Sequence, residues 1–111
     1  MRKIEWNDFE KVELRIGTIL EVNEFPEARK PAYKLKIDFG EFGIMQSSAQ
    51  ITDHYKPQDL IGKQIVAVIN FPPKKIANFV SECLITGFPD HDGKIVLAVP
   101  EKKVPNGVKL F

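Results

Sequence analysis

The chain has 111 residues, enough for one domain over 1–111 that encloses its own core, and its 43% hydrophobic content is ordinary for a globular protein. The formal net charge is +1, which excludes a polycation that binds nucleic acid indiscriminately, so any nucleic-acid site must come from local clustering. The single cysteine fits a reducing cytoplasm, and without a signal-peptide core or a long apolar run we expect no membrane insertion.

Strand-like alternation dominates the first half of the chain. Residues 12–22 place apolar side chains at even positions, and Gly17 within this run predicts a bulge or a sharp bend. Residues 33–39 alternate in the same way and carry lysines on the outer face. A glycine-flanked turn then leads into a third predicted strand, residues 44–49.

The second half combines one predicted helix with further strands. The helix lies within residues 52–62, and residues 64–71 form a fourth strand that is apolar on both faces. Such a strand is buried on both sides, and a partner subunit is one candidate for its cover. Residues 74–80 fit a single helical turn, and the last strands are predicted at 83–88 and 95–99.

This order of elements predicts an all-β fold. A long, glycine-bent first strand, a meander and closing strands indicate a five-stranded Greek-key barrel of the OB-fold type, with one short helix and terminal extensions. An SH3-like barrel is the alternative on pattern alone. The position of the helix, between the third and fourth strands, favours the OB-fold.

Side chains that could support catalysis are few and scattered. His54 and His91 have no metal-ligand spacing around them, and Ser47 and Ser48 have no partnered base. Cys83 alternates into the core, where a thiol acts as a small hydrophobic group. We therefore expect a protein that is not an enzyme and that uses no metal and no cofactor.

The segment from Asn70 to Glu82 presents polar groups directly after an apolar strand. Two prolines hold it extended, and Lys74 and Lys75 follow them. This arrangement suits binding of a phosphate backbone or a polypeptide. The alternative is a solvent-exposed turn whose lysines protect the end of an apolar strand from aggregation. Other basic side chains lie on outer positions of the first two strands or on adjoining loops: Arg15, Arg29, Lys30, Lys34 and Lys36.

The chain also has more aromatic side chains than a small barrel readily encloses. They include Trp6, Phe9, Phe71, Phe79, Phe88 and Phe111, and the last residues add Val108 and Leu110. Core packing is the default reading for each of these residues individually. Together they indicate a subunit interface or a groove for apolar ligands.

Four separated motifs resemble the tRNA-binding domain family, which includes the C-terminal dimerisation domain of bacterial methionyl-tRNA synthetases and the endothelial monocyte-activating polypeptide domain. These motifs are residues 12–19, 37–40, 70–76 and Ser81-Glu82. Three further segments look like its CsaA members, bacterial and archaeal proteins regarded as export-related chaperones. These segments are residues 25–33, 47–50 and 105–110.

The resemblance implies an OB-fold homodimer that binds tRNA-like RNA or unfolded preprotein. Matching positions of the family's RNA-facing region are Asn70, Lys74, Lys75, Ser81 and Glu82, to which the basic pattern adds Arg15, Arg29, Lys34 and Lys36. Candidate polypeptide contacts are Phe71, Pro72, Ile76 and Phe79. Candidate dimer contacts are Trp6, Phe9, Val108, Leu110 and Phe111.

Two departures from the RNA-binding pattern favour polypeptide over RNA. Residues 77–80 stand where the family commonly has an Arg-Gly pair, and residues 47–50 replace a usual Gly-Leu. Losing an arginine weakens phosphate contacts. The first hypothesis is an ATP-independent homodimeric chaperone of secretory precursors that works with the export machinery. The second is a structure-selective tRNA-binding protein, and one surface could serve both.

Overall fold

A five-stranded antiparallel sheet forms the body of the molecule. In chain order the elements are α1 (Trp6–Glu10), β1 (Leu14–Glu24), β2 (Tyr33–Asp38), a 3₁₀ turn (Gly40–Phe42), β3 (Ile44–Ala49), α2 (Pro57–Leu60), β4 (Gln64–Val68), β5 (Lys74–Ile76), β6 (Phe79–Ser81), β7 (Leu84–Ile85), β8 (Gly87–Pro89) and β9 (Ile95–Leu97). The order of strands in the sheet is β3-β2-β1-β4-β7. The computed structural model describes all 111 residues. One half of the long β1 pairs with β4 and the other half with β2, so the sheet curls into a nearly closed barrel. The predicted OB-fold barrel is thus confirmed.

The barrel core is built from the inward positions of the strands. In β2 the odd positions are buried and the lysines point outward, as the alternation predicts. Cys83 is also buried, at the edge of this core. The side chains with at most 1% exposure include Ile19, Leu35, Ile37, Phe39, Leu60 and Ile65. Neither α-helix has the length and apolar character needed to cross a bilayer.

The predicted bulge at Gly17 is wrong in its position. The register between β1 and β2 shifts between Ile19 and Glu21, which leaves Leu20 exposed and turns Ile19 into the core. Gly17 has a different role. A Cβ atom there would lie 2.5 Å from Cγ2 of Ile37, so the strand needs glycine for close packing rather than for a bend.

Several predicted boundaries are corrected. The helix predicted within 52–62 is only the four-residue α2, with Pro57 in its first turn, and the fourth strand ends at Val68. The predicted strand 83–88 is divided at Thr86 into β7 and β8. The division arises because the Thr86 N–H donates to Val66 O in β4 while its carbonyl accepts from the N–H of Ala98, the residue after β9.

Residues 74–80 form a β-hairpin, so the predicted helical turn is wrong. Lys74 pairs with Ser81, and Ile76 with Phe79, across a two-residue connection. Ala77 in this connection has a positive φ of 54°, a conformation that costs an L-residue with a Cβ atom about 1 kcal/mol or more. The helical spacing of Ile76, Phe79 and Val80 is overridden by contacts between β6 and β3.

We expect Ala77→Gly to raise the free energy of unfolding by about 0.5–1 kcal/mol, because glycine relieves about 1–2 kcal/mol of strain at positive φ and the freer unfolded chain offsets part of that gain. Asn78 is the matched control, since its φ is not positive. Asn78→Gly should lower stability by about 0.5–1 kcal/mol through the added freedom of the unfolded chain. Denaturant titration of both variants measures these changes, and equal effects of the two would contradict the proposed strain at Ala77.

Candidate functional site

A groove of about 750 Å³ opens between the 70–82 segment, the end of β3, and β7. Ile51 and Cys83 are buried at its base, and burial raises the pKa of the Cys83 thiol to about 12, so the thiol is neutral at physiological pH. Ile85 and Ile95 complete the apolar surface of this groove. We call this feature the apolar groove.

The apolar groove brings together six of the predicted contact residues. They are Phe71, Pro72, Lys74, Ile76, Ser81 and Glu82. Lys75 does not line the groove, because alternation along β5 places it with Val80 on the other face of the hairpin. The two lysines that are adjacent in sequence therefore point to different surfaces.

Phe79 belongs to a separate cluster outside the apolar groove. Its ring packs edge-on against the buried Phe25, with 5.5 Å between ring centroids. Lys34 Nζ lies 5.3 Å from the Phe25 centroid and 5.9 Å from that of Phe79. These contacts fit a cation–π cluster. Phe79 is thus positioned to support the hairpin rather than to line the groove.

Ser81 and Glu82 close the barrel along the outer edge of β3. The Gln46 N–H donates to Glu82 Oε1 at 2.9 Å, and the Glu82 N–H donates to Gln46 O at 2.8 Å. The Ser48 N–H donates to Ser81 Oγ at 3.2 Å. The side chains of Ser81 and Glu82 therefore accept hydrogen bonds from backbone N–H groups of β3 that a neighbouring strand would otherwise pair with. The Ser-Glu motif, predicted as RNA-facing, has a structural role in this seam.

Asn70 is likewise occupied by backbone contacts. Its Oδ1 accepts from the Glu13 N–H at 3.0 Å, and its Nδ2 donates to Lys11 O at 2.7 Å. Both ends of the amide thus attach the end of the fourth strand to the segment before β1. The structure gives Asn70 a positioning role, and its predicted contact with RNA would have to break these bonds.

Arg15 is held within the molecule. Its Nε donates to Glu13 Oε1, its NH1 donates to Gly107 O at 3.0 Å, and the guanidinium lies 4.6 Å from the Phe42 ring centroid. The Arg15 and Lys109 hydrogen bonds hold the pKa of Glu13 below its usual value. Only 19% of the Arg15 side chain is exposed, so its geometry favours anchoring the C-terminal segment over ligand contact.

The other predicted basic residues lie on the surface. Lys36 is exposed and forms an ion pair with Glu21 at 3.4 Å. Arg29 is exposed in the loop between β1 and β2, and Lys34 belongs to the aromatic cluster described above. These side chains come from different elements, and Lys34 lies against the hairpin that carries Lys74 and Lys75.

The termini meet at a second apolar cleft, which we call the terminal patch. Ile4, Trp6, Phe9 and Phe111 line it, and the Trp6 and Phe9 ring centroids are 5.4 Å apart. The C-terminal segment reaches this position because it hydrogen-bonds to β1: the Ile16 N–H donates to Val108 O, and the Leu110 N–H donates to Leu14 O. Val108 and Leu110 are 37% and 47% exposed. Of the predicted dimer contacts, Trp6, Phe9 and Phe111 therefore lie together, while Val108 and Leu110 lie in the C-terminal segment beside β1.

Sequence reasoning did not name ten of the 16 residues that line the apolar groove as contacts, among them Gln50, Ile85 and Ile95. Ile85 and Ile95 resemble ordinary core residues because they alternate within strand-like runs. No local signal marks them, since the groove forms between strands that are far apart in the chain. His54 and Asp90 form a separate surface pair at 2.7 Å, where the hydrogen bond from His54 lowers the pKa of Asp90. No cluster of three or more His, Cys, Asp or Glu side chains is arranged to hold a metal ion.

Comparison with known proteins identifies the family. The family model described as "Putative tRNA binding domain" matches residues 14–109. Methionine–tRNA ligase of Parabacteroides distasonis is 40% identical over 106 residues, which are 94% of this chain and 15% of the ligase. The chain thus spans about a sixth of such ligases, and it matches a part of them rather than the whole enzyme.

Two solved structures match the chain over nearly its full length. The chaperone CsaA from Bacillus anthracis superposes with a TM-score of 0.93 at 53% identity, covering 99% of this chain and 100% of that one. The CsaA chaperone protein from Picrophilus torridus gives a TM-score of 0.92 at 52% identity, covering 98% and 100%. The chain therefore belongs to the tRNA-binding domain family and, within it, to the CsaA group.

Proposed function

We propose that this protein is a non-enzymatic, homodimeric chaperone that binds extended segments of unfolded polypeptide in the apolar groove. The single observation that supports this most strongly is the groove itself, an open surface with an apolar base in a protein more than half identical to solved chaperones. The proposed clients are secretory precursors held in the cytoplasm before export.

The lining of the apolar groove fits apolar side chains of many shapes. Phe71 is 55% exposed, so much of its ring is available for contact without rearrangement. Burying one large aliphatic or aromatic side chain stabilises a complex by about 1.5–3 kcal/mol. Lys74 and Glu82 add one positive and one negative charge at the groove. Charged residues of either sign that flank the apolar segment of a client can therefore be accommodated.

Binding of tRNA is the second candidate function, and family membership is the observation that favours it. Lys36, Lys75 and Arg29 are exposed and could contact phosphates. Against this, Arg15 and Asn70 are engaged in internal contacts, and the net charge is only +1. Polypeptide is therefore the first proposal, and a tRNA-binding surface is retained as the alternative.

We further propose that the terminal patch is the dimer interface. Trp6 is 69% exposed and the Phe111 side chain is fully exposed. Aromatic side chains are the residues that most often dominate interface energies when a partner covers them. A dimer joined at this end would hold two apolar grooves, and two sites on one particle increase the apparent affinity for a long unfolded chain.

A matched pair of variants tests the polypeptide site. Ile76→Ser removes an apolar side chain from the groove, whereas Val80→Ser removes one from the other face of the hairpin. We expect Ile76→Ser to weaken binding of a fluorescent, reduced and unfolded precursor about tenfold, in line with losing the burial of one aliphatic side chain. Val80→Ser should change it less than twofold, a difference of roughly 0.4 kcal/mol.

Salt separates the two candidate functions in the same titrations. Apolar polypeptide binding should persist as salt rises, whereas tRNA binding should weaken steeply because each neutralised phosphate releases counterions. Equal loss of polypeptide binding in both serine variants would contradict the groove as the site. Salt-sensitive tRNA binding without any polypeptide binding would favour the second function instead.

A further inference from the structure

The apolar groove separates two edges of the same sheet. β3 and β7 are the outer strands of the five-stranded order, so each has one side without a neighbouring strand in that sheet. The seam between them is closed at Gln46 and Ser48 by Ser81 and Glu82. Beyond Ser48, residues that follow β3 on one side and residues of β7 on the other line the apolar groove.

The wall that continues β3 has free backbone groups in this gap. Backbone groups in a strand alternate between its two sides. Gln46 and Ser48 direct theirs toward the seam, while the residues between them pair with β2. By the same alternation, the backbone N–H and C=O of Gln50 point away from β2, and Gln50 lines the groove. Neither group has a hydrogen-bond partner in the structure.

The opposite wall has the complementary arrangement on β7. The Thr86 N–H donates to Val66 O, so the even residues of this segment face β4. Ile85 lies opposite Ala67 in the intervening position, which directs its N–H and C=O away from β4. Cys83, two residues earlier, faces the same way as Ile85, because its carbonyl accepts from Ser47 Oγ across the seam at 2.9 Å. Ile85 therefore presents an unpaired strand edge toward the groove.

We propose that the apolar groove binds polypeptide by strand addition, in which an extended segment hydrogen-bonds to the backbone of Ile85 and of Gln50. This inference rests on the proposed polypeptide-binding function and specifies its mode. Backbone hydrogen bonds are common to every sequence, so this mode gives affinity without sequence specificity. Alternate side chains of the added strand would point onto Ile51 and Ile95.

Ser81 and Glu82 limit where along β3 a strand can be added. They satisfy the edge of β3 at Gln46 and Ser48, so an incoming strand cannot pair there without displacing them. Strand addition is thereby confined to the part of the edge that lies over the apolar base. An unprotected edge along all of β3 would instead invite pairing between copies of the protein.

Backbone N-methylation tests the proposal, because it removes one hydrogen-bond donor at a time and leaves the side chains unchanged. The probe is a capped peptide of roughly nine residues, a natural strand length, with valine at alternate positions and threonine or lysine between them. We expect N-methylation to weaken binding about tenfold at the few central positions whose amides meet Ile85 or Gln50, and less than twofold near the ends of the peptide, since only those central amides have a partner on either wall.

Amide hydrogen exchange measured by NMR locates the added strand. The Ile85 and Gln50 amides should exchange at least about tenfold more slowly with the peptide bound, while exchange of the Val80 N–H, which lies outside the groove, should not slow. A uniform response to N-methylation, or unchanged exchange at Ile85, would overturn strand addition and leave the polypeptide-binding function standing. Absence of binding by the unmodified peptide and by unfolded precursor alike would overturn both.

Discussion

Replacing Gly17 with alanine is expected to lower the free energy of unfolding by about 3 kcal/mol, near the upper end of what overpacking costs. A Cβ atom at this position would lie 2.5 Å from Cγ2 of Ile37 and 2.6 Å from Cε1 of Phe39. Both neighbours are 0% exposed, so neither can move without disturbing a close-packed core. A domain of this size has only about 5–15 kcal/mol of stability in total, and denaturant unfolding will measure the loss.

A double-mutant cycle with Phe39→Leu separates the clash from any general effect of altering the strand. Leucine removes ring atoms that the new methyl group would meet, so the alanine at position 17 should cost at least about 1 kcal/mol less in that background. The same cost in both backgrounds would show that contact with Phe39 is not the cause. β1 would then have to be destabilised for another reason.

Placing a charge in the terminal patch is expected to dissociate the proposed dimer. Trp6→Asp should weaken self-association about 100-fold, corresponding to roughly 2.7 kcal/mol, because a buried aromatic anchor is lost and an unpaired carboxylate would be desolvated. Analytical ultracentrifugation across a concentration series measures this change. Trp6 is exposed and makes its ring contact within α1, so we expect the fold of the protomer to survive.

Phe88→Asp is the matched control for this experiment. Phe88 is 68% exposed, against 69% for Trp6, but it lies on the hairpin of β8 and β9 rather than at the termini. This variant should leave self-association unchanged within about twofold, or roughly 0.4 kcal/mol. Dissociation by Phe88→Asp with an intact Trp6→Asp dimer would place the interface on the β8–β9 hairpin instead.

Strand periodicity is a local property, and it therefore predicted the barrel well. The alternation of Leu35 and Ile37 with the outward lysines of β2 needs no information from elsewhere in the chain, because successive strand side chains face opposite sides. The register of the first strand does not follow from local alternation. A register shift near Leu20 depends on how β1 pairs with β2, and pairing partners cannot be read from one strand alone.

The candidate site was predicted only in part, for the same physical reason. Its position at the 70–82 segment follows from local chemistry, since prolines and lysines after an apolar strand indicate an extended, polar segment. The roles of Asn70 and Glu82 do not follow, because their hydrogen-bond partners lie 57 and 36 residues away. Asn70 and Glu82, which the sequence predicts as ligand contacts, close and anchor the barrel through these bonds.

The sequence by itself determined the all-β barrel, the family and the segment that borders the groove, because each depends on patterns within short stretches of chain. Tertiary structure alone decided which side chains are free to meet a ligand. It engaged Arg15 and Asn70 in internal contacts, placed Lys74 and Lys75 on different faces, and brought Gln50 and Ile85 into the lining of one groove. Such outcomes depend on long-range pairing, where each polar group must find a partner that local sequence does not specify.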